Sequence, residues 1–161
     1  MTFETMLLAA LSTLPVYGED MNVPEEKQEQ LQMISESVAR VSKGNRDWAA
    51  LLVAVAYSES RLSLRIMRGD CHAHECDHGL AWSPWQIHKN KLNEDAWGST
   101  ELDVQTREAS SMLKRAFYSC KRSNVPWLVG TINAFAGRRC DAEWPGLEAR
   151  VAVFNRVRAR L

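Results

Sequence analysis

The run from Trp48 through Ala49, Ala50, Leu51, Leu52, Val53, Ala54, Val55 and Ala56 to Tyr57 limits the fold more than any other stretch. It is too short to cross a bilayer, which takes about 20 apolar residues. A helix that is apolar on every side must be covered on every side. This chain therefore folds around that rod. The rod leads directly into Ser58-Glu59-Ser60-Arg61-Leu62. Glu59 is expected just past the helix end, at the edge of the core. Burial there disfavours the charged form of a carboxyl. A carboxyl that keeps its proton near neutrality is a general acid, the group that glycosidic cleavage requires. The plain alternative is a helix-terminal glutamate in water, the usual place for Glu.

The rest of the chain supplies the wrapping. Phe3, Met6, Leu7, Ala10, Leu11 and Leu14 follow helical spacing, with Thr2 as a capping residue. No Lys or Arg precedes this apolar stretch and Glu4 does, unlike a secretory signal. It is expected to be a first core helix, without a Sec signal of its own. A second helix is expected to begin at Pro24, with Glu25 and Glu26 in its first turn. It carries Leu31, Ile34, Val38 and Val41 on one face and stops at Gly44. Asp47 is expected to cap the third helix. Asp103–Lys121, Pro126–Ala136 and a helix opened by Pro145 complete the set. Val104, Ala109, Met112, Leu113, Ala116 and Phe117 face inward on the first of these. Leu147, Val151, Phe154 and Val157 form the stripe of the last. Strand signals are few. The expectation is a mainly α, single helical domain over residues 1–161 with a structured central loop or short hairpin.

That loop, 67–90, holds two cysteines, all four histidines, two tryptophans, two glycines and a proline. Such loops carry function more often than regular elements do. Four cysteines allow three complete pairings. The preferred one joins Cys71 to Cys76 and Cys120 to Cys140, which implies an oxidising compartment. Four free thiols are the alternative. The 20 basic and 20 acidic residues balance, which argues against general nucleic-acid binding. Arg138-Arg139 and the arginines between Arg150 and Arg160 are local basic clusters that could meet an anionic polymer. Their plain reading is a solvated face.

Three separated segments stand in a telling order: Ala56-Tyr57-Ser58-Glu59-Ser60-Arg61-Leu62, then Ala81-Trp82-Ser83-Pro84-Trp85-Gln86-Ile87-His88, then Asn133-Ala134-Phe135-Ala136-Gly137. Together they resemble the lytic transglycosylase and goose-type lysozyme superfamily. The family has a helix ending in Glu-Ser, a Gly-Leu-Met-Gln-like segment and a Tyr-Asn-x-Gly-like turn. Here the second segment reads Ser-Pro-Trp-Gln-Ile, with Gly79-Leu80 displaced upstream. Phe135 stands where the family has Tyr, and Ala136 where it has Asn. The resemblance covers 48–137. It implies a lysozyme-like fold with N-terminal helices over 1–46, a catalytic core over 47–137 and a C-terminal helix over 138–161.

The resemblance implies the β-1,4 bonds of peptidoglycan as target, with Glu59 as catalytic acid. Ser60 would orient the sugar, Gln86 would line the saccharide cleft, and Phe135 would face the acid. Trp82 and Trp85 could stack on sugar rings or pack in the core. A hydrolase supplies water, usually through a second carboxylate, whereas a transglycosylase uses the muramoyl 6-hydroxyl and one Glu acting first as acid and then as base. Asp70, Glu75 and Asp77 are candidates for the second carboxylate, with Asp77 preferred for its place beside Gly79-Leu80. Chitin is a second possible substrate. No cofactor or membrane span is expected. The chain is expected to act as a monomer in the periplasm or cell wall, delivered by a partner such as a holin, virion or secretion system.

Two other classes compete. A non-catalytic glycan-binding module would tolerate the missing hydroxyl at Phe135. A small zinc-binding domain could use Cys71, His72, His74, Glu75, Cys76 and His78, although no Cys-x-x-Cys pair is present.

Overall fold

The apolar rod folds as the central helix α3 (Arg46–Ser60). Every residue from Ala49 to Ala56 is fully buried, and Tyr57 nearly so. A computed structural model describes residues 1–15, 24–71, 74 and 76–161. The cap of α3 is Asn45, whose side chain accepts from the Trp48 N–H at 2.9 Å. Asp47 therefore sits in the first turn, where a negative charge suits the positive helix end, and does not cap. The helix stops at Arg61, which is left-handed with φ 54° and donates its N–H to the Tyr57 carbonyl at 2.9 Å. Glu59 thus lies inside the last turn of α3 and not beyond it.

The other helices wrap this rod. Helix α1 (Phe3–Leu11) is capped by the Thr2 hydroxyl and buries Leu7, Ala10 and Leu11. Helix α2 (Pro24–Ser42) buries Leu31, Ile34 and Val38, with Val41 at the margin. Glu25 and Glu26 lie in its first turn by sequence. Two short turns of helix follow α3: α4 (Leu64–Met67) and α5 (Cys76–Gly79). Between α5 and the next long helix, β1 (Ala81–Trp82) pairs antiparallel with β2 (Ile87–His88), the expected short hairpin. Helix α6 (Leu102–Cys120) buries Ala109, Leu113 and Ala116, leaving Val104, Met112 and Phe117 half-buried.

Helix α7 (Trp127–Phe135) lies against α6, and α8 (Pro145–Arg158) lies along α3. Phe154 and Val157 carry the buried part of the α8 stripe, with Leu147 and Val151 packed at its edge. The molecule is mainly α, as the periodicity implies. Among the described residues no helix is long and apolar enough to cross a membrane.

Both preferred cysteine pairs are disulfides, Cys71–Cys76 and Cys120–Cys140. The second fastens the end of α6 to the segment after α7. The first removes both thiolates from the histidine-rich loop, so the zinc reading loses its sulfur ligands. His72 and Glu75, also invoked for zinc, lie outside the described residues, as does any role of Glu75 as a second carboxylate.

Candidate active site

Trp85 ties the hairpin to α3. Trp85 is fully buried, and its indole N–H donates to the Leu52 carbonyl of α3 at 2.8 Å. That anchor holds the four-residue turn Ser83–Gln86 against the helix whose last turn carries Glu59. The turn is tight. Ser83 and Gln86 are both left-handed, at φ 72° and 49°. The Gln86 N–H donates to the Ser83 carbonyl at 3.0 Å, and the Ser83 hydroxyl accepts from the Trp85 N–H at 3.3 Å. The Gln86 amide also donates to the Ser83 carbonyl, at 3.0 Å, and to Cys76 Sγ at 3.5 Å. Left-handed non-glycine residues cost about 1–3 kcal/mol each and gather at functional sites. Among the described residues seven of the eight, Arg61, Leu62, Cys76, Asp77, His78, Ser83 and Gln86, lie on the segments between Glu59 and the hairpin's end, and the eighth is Lys43 at the end of α2.

An open cleft of about 300 Å³ is lined by Glu59, Trp85, Gln86, His88, Phe135, Ala136, Arg138, Trp144 and Arg150. Glu59, Gln86 and Phe135, from three separated segments, thus meet on one surface. The Glu59 carboxylate accepts a hydrogen bond from Arg150 of α8 and forms an ion pair with it. Both side chains are largely enclosed, with 24% and 13% of their surface exposed. The Arg138 and Arg150 guanidiniums lie 4.4 and 4.6 Å from the centre of the Trp144 ring. Such stacking adds a cation–π attraction. Gly146 makes this possible. A Cβ there would come within 2.0 Å of the Trp144 ring and 2.7 Å of Arg150, so no larger residue fits without displacing both.

Asn133 fixes the arm that carries Arg138 and Trp144. It is fully buried at the end of α7. Its amide nitrogen donates to the Cys140 and Ala142 carbonyls, both at 2.9 Å. Its oxygen accepts from the Trp144 indole at 2.8 Å. The Arg138 N–H donates to the Asn133 carbonyl at 2.8 Å. The arm is thus tied at several points before any ligand arrives.

Other expected site residues fall elsewhere. Ser60 is buried; its hydroxyl donates to the Ala56 carbonyl at 2.9 Å and accepts from the Leu62 N–H at 3.2 Å. It closes the helix end and does not line the cleft. Trp82 is buried against Trp97 at 5.7 Å and donates its indole N–H to the Ser99 carbonyl at 2.9 Å. Neither it nor Trp85 has a free face for a sugar; both are core tryptophans, although Trp85 forms part of the cleft wall. Asp77 does not line the cleft. Its carboxylate lies 3.5 Å from His88 Nε2, and both side chains are more than half exposed.

Arg138, Trp144 and Arg150 were the missed members. The arginines belong to clusters whose plain reading is a solvated face. That reading suits Arg139, which pairs with Asp141 at 3.0 Å, and Arg158, which pairs with Asp47. It fails for Arg150. The signal was a Trp directly before the Pro145-Gly146 helix start, six residues ahead of Arg150, with Gly146 one helical turn before that arginine. Comparison with protein-family models, with curated proteins and with solved structures found no match.

Proposed function

We propose that the protein cleaves the β-1,4 glycosidic bonds of peptidoglycan, with Glu59 as general acid. The observation that supports this most is the meeting of Glu59, Gln86 and Phe135 along one open cleft. The cleft has the ingredients for a sugar: a carboxyl in its wall, an amide, two aromatic rings and cationic donors. The resemblance of the three segments to lytic transglycosylases and goose-type lysozymes points the same way.

In this reading a glycan strand lies across the cleft with its bridging oxygen at Glu59. Proton transfer to that oxygen lets the bond break through an oxocarbenium-like state. Phe135 gives the sugar an apolar face, and Gln86 offers an amide to its hydroxyl or acetamido groups. The second carboxylate of a hydrolytic route would act at a distance. Asp77 would hold His88, and the His88 imidazole on the cleft wall would take the proton of the attacking water. In the transglycosylase route the muramoyl 6-hydroxyl attacks and Glu59 recovers the proton, giving a 1,6-anhydro end.

One observation favours a second reading, a glycan-binding module without activity. The Glu59 carboxylate is already engaged by Arg150, so a substrate must displace that contact to reach it. Turbidity of permeabilised Gram-negative cells separates the two. The catalytic reading predicts clearing within minutes of adding the protein. Binding to sedimented murein without clearing would leave only the module.

A further inference from the structure

Away from the cleft, two aromatic side chains face water. Among the described residues only Tyr118 and Trp127 are exposed aromatics, at 66% and 41%. Trp127 is wedged between Phe117 and Phe154, with ring centres 6.4 and 5.8 Å away in edge-to-face contact. Tyr118 meets Phe117 in the same way at 5.4 Å. Their neighbours thus fix both rings while leaving apolar surface in solvent. Exposed apolar surface rimmed by polar groups marks interaction sites.

The two rings stand at one end of a trough. A cavity of about 440 Å³ is lined by Trp48, Phe117, Tyr118 and Trp127 together with Lys43 and Lys114. A second, of about 470 Å³, shares Val41, Lys43 and Lys114 with the first and adds Arg40, Asp103 and Arg107. Along α6 the wall reads Arg107, Ser111, Lys114, Tyr118 and Lys121, one helical face about 21 Å long. The carboxylates of the trough are already matched, Asp103 to Arg40 and Asp47 to Arg158. Lys43, Arg107 and Lys114 are exposed and have no ion-pair partner among the described residues. Lys121, at the ring end, lies over Tyr118 at 5.9 Å. Unmatched positive charge therefore fills one end, and aromatic surface the other.

That division selects the occupant. A single-stranded nucleic acid repeats one unit along its length, so its site interleaves cations with rings. A bilayer is flat and does not enter a trough. A peptide carries carboxylates at one end and an apolar side chain at the other without difficulty. We infer that this trough docks an acidic peptide segment of a partner protein. An aromatic or aliphatic anchor of the segment rests on Tyr118 and Trp127, and its carboxylates meet Lys43, Arg107 and Lys114. About six residues of extended chain span that length. Buried aromatic anchors carry most of the affinity at such surfaces, and the cations steer the encounter. Trp48 stands in the first turn of α3 and Glu59 in the last, about 17 Å apart along the helix. A partner docked here leaves the cleft open, and the site does not depend on the glycan-cleaving reading.

The test uses the full chain and fluorescence anisotropy with two labelled ten-residue peptides, each with four glutamates and one tryptophan, placed at either end. The trough predicts that at least one of them binds at least about tenfold more tightly than its versions with glutamine for glutamate or alanine for tryptophan. Lys43→Glu/Lys114→Glu and Tyr118→Ser should each weaken that binding by at least about tenfold. These side chains are exposed, so the fold is kept, and circular dichroism checks this. Added salt should weaken the glutamate peptide and leave the glutamine version unchanged. Failure of both acidic peptides to bind, or binding that survives both variants, overturns the site. Tighter binding of oligothymidylate, or of vesicles rich in anionic lipid, overturns the peptide assignment.

Discussion

The Glu59–Arg150 pair makes a quantitative demand on stability. Its side chains are 24% and 13% exposed, whereas those of the surface pair Asp103–Arg40 are 33% and 56% exposed. Exposed pairs are worth about 0–1 kcal/mol. Losing one partner of a fully buried pair costs about 3–5 kcal/mol. Between those limits, unit charges about 4 Å apart at an effective dielectric of 20 attract by about 4 kcal/mol before desolvation is subtracted. A net coupling of about 1–2 kcal/mol follows once both ions are partly stripped of water. Arg150 also donates to the Gly146 carbonyl at 3.2 Å and stacks on Trp144, so the single variant Arg150→Met overstates the pair. A double-mutant cycle with Glu59→Gln removes those contributions. The assay is urea unfolding of four proteins, checked by Tm, where each kcal/mol moves the midpoint by about 2–4 °C at this chain length. A coupling energy below about 0.5 kcal/mol is within ordinary additivity error and would refute the claim that Arg150 holds Glu59.

Three further outcomes follow from the packing. Hydrogen bonding to Arg40 is the largest cause holding the Asp103 carboxyl below the usual aspartate range. A lowered folded value means stability present above the unfolded pKa of about 3.9 and lost as pH falls through the folded one. Asp103→Asn should therefore cost up to about 1 kcal/mol at pH 6, and the two proteins should converge in urea titrations near pH 2. Trp85→Ala should cost about 3–5 kcal/mol by leaving a core cavity. A loss under 1 kcal/mol would show that the hairpin is not anchored on Leu52. The Cys120–Cys140 disulfide, spanning 20 residues, should contribute about 3 kcal/mol. The Cys120→Ala/Cys140→Ala variant tests this by thermal melting, and an unchanged Tm would contradict it.

Much of the scaffold was legible because it rests on local rules. The continuous apolar run could only be a wrapped helix, and α3 is that helix. Thr2, Pro24 and Pro145 marked helix starts through capping and backbone geometry. Cap identity at α3 was missed because Asn45 and Asp47 are both good candidates; which one caps depends on where the first turn closes. The two tryptophans of the hairpin could not be divided between core and cleft from spacing, since each packs against partners distant in sequence, Leu52 and Trp97. The resemblance points Ser60 at the sugar, but a hydroxyl in a last helical turn bonds back to the carbonyl four residues earlier, here that of Ala56. Arg150 and Trp144 were illegible for a related reason. Arg150 meets Glu59 where α8 lies along α3, and it meets Trp144 across the space that Gly146 leaves without a side chain. The ion pair joins residues 91 positions apart, a relation that no local pattern encodes.

The central claim is that Glu59 hands a proton to the bridging oxygen of a murein strand. Purified peptidoglycan digested with the wild-type chain and with Glu59→Gln, the soluble products resolved by mass spectrometry, addresses it most directly. The account predicts muropeptide release by the wild type and less than about a hundredth of that rate for the folded variant, the lower end of what one general acid contributes. Residual activity above a tenth of wild type, or no release by either protein, would contradict it.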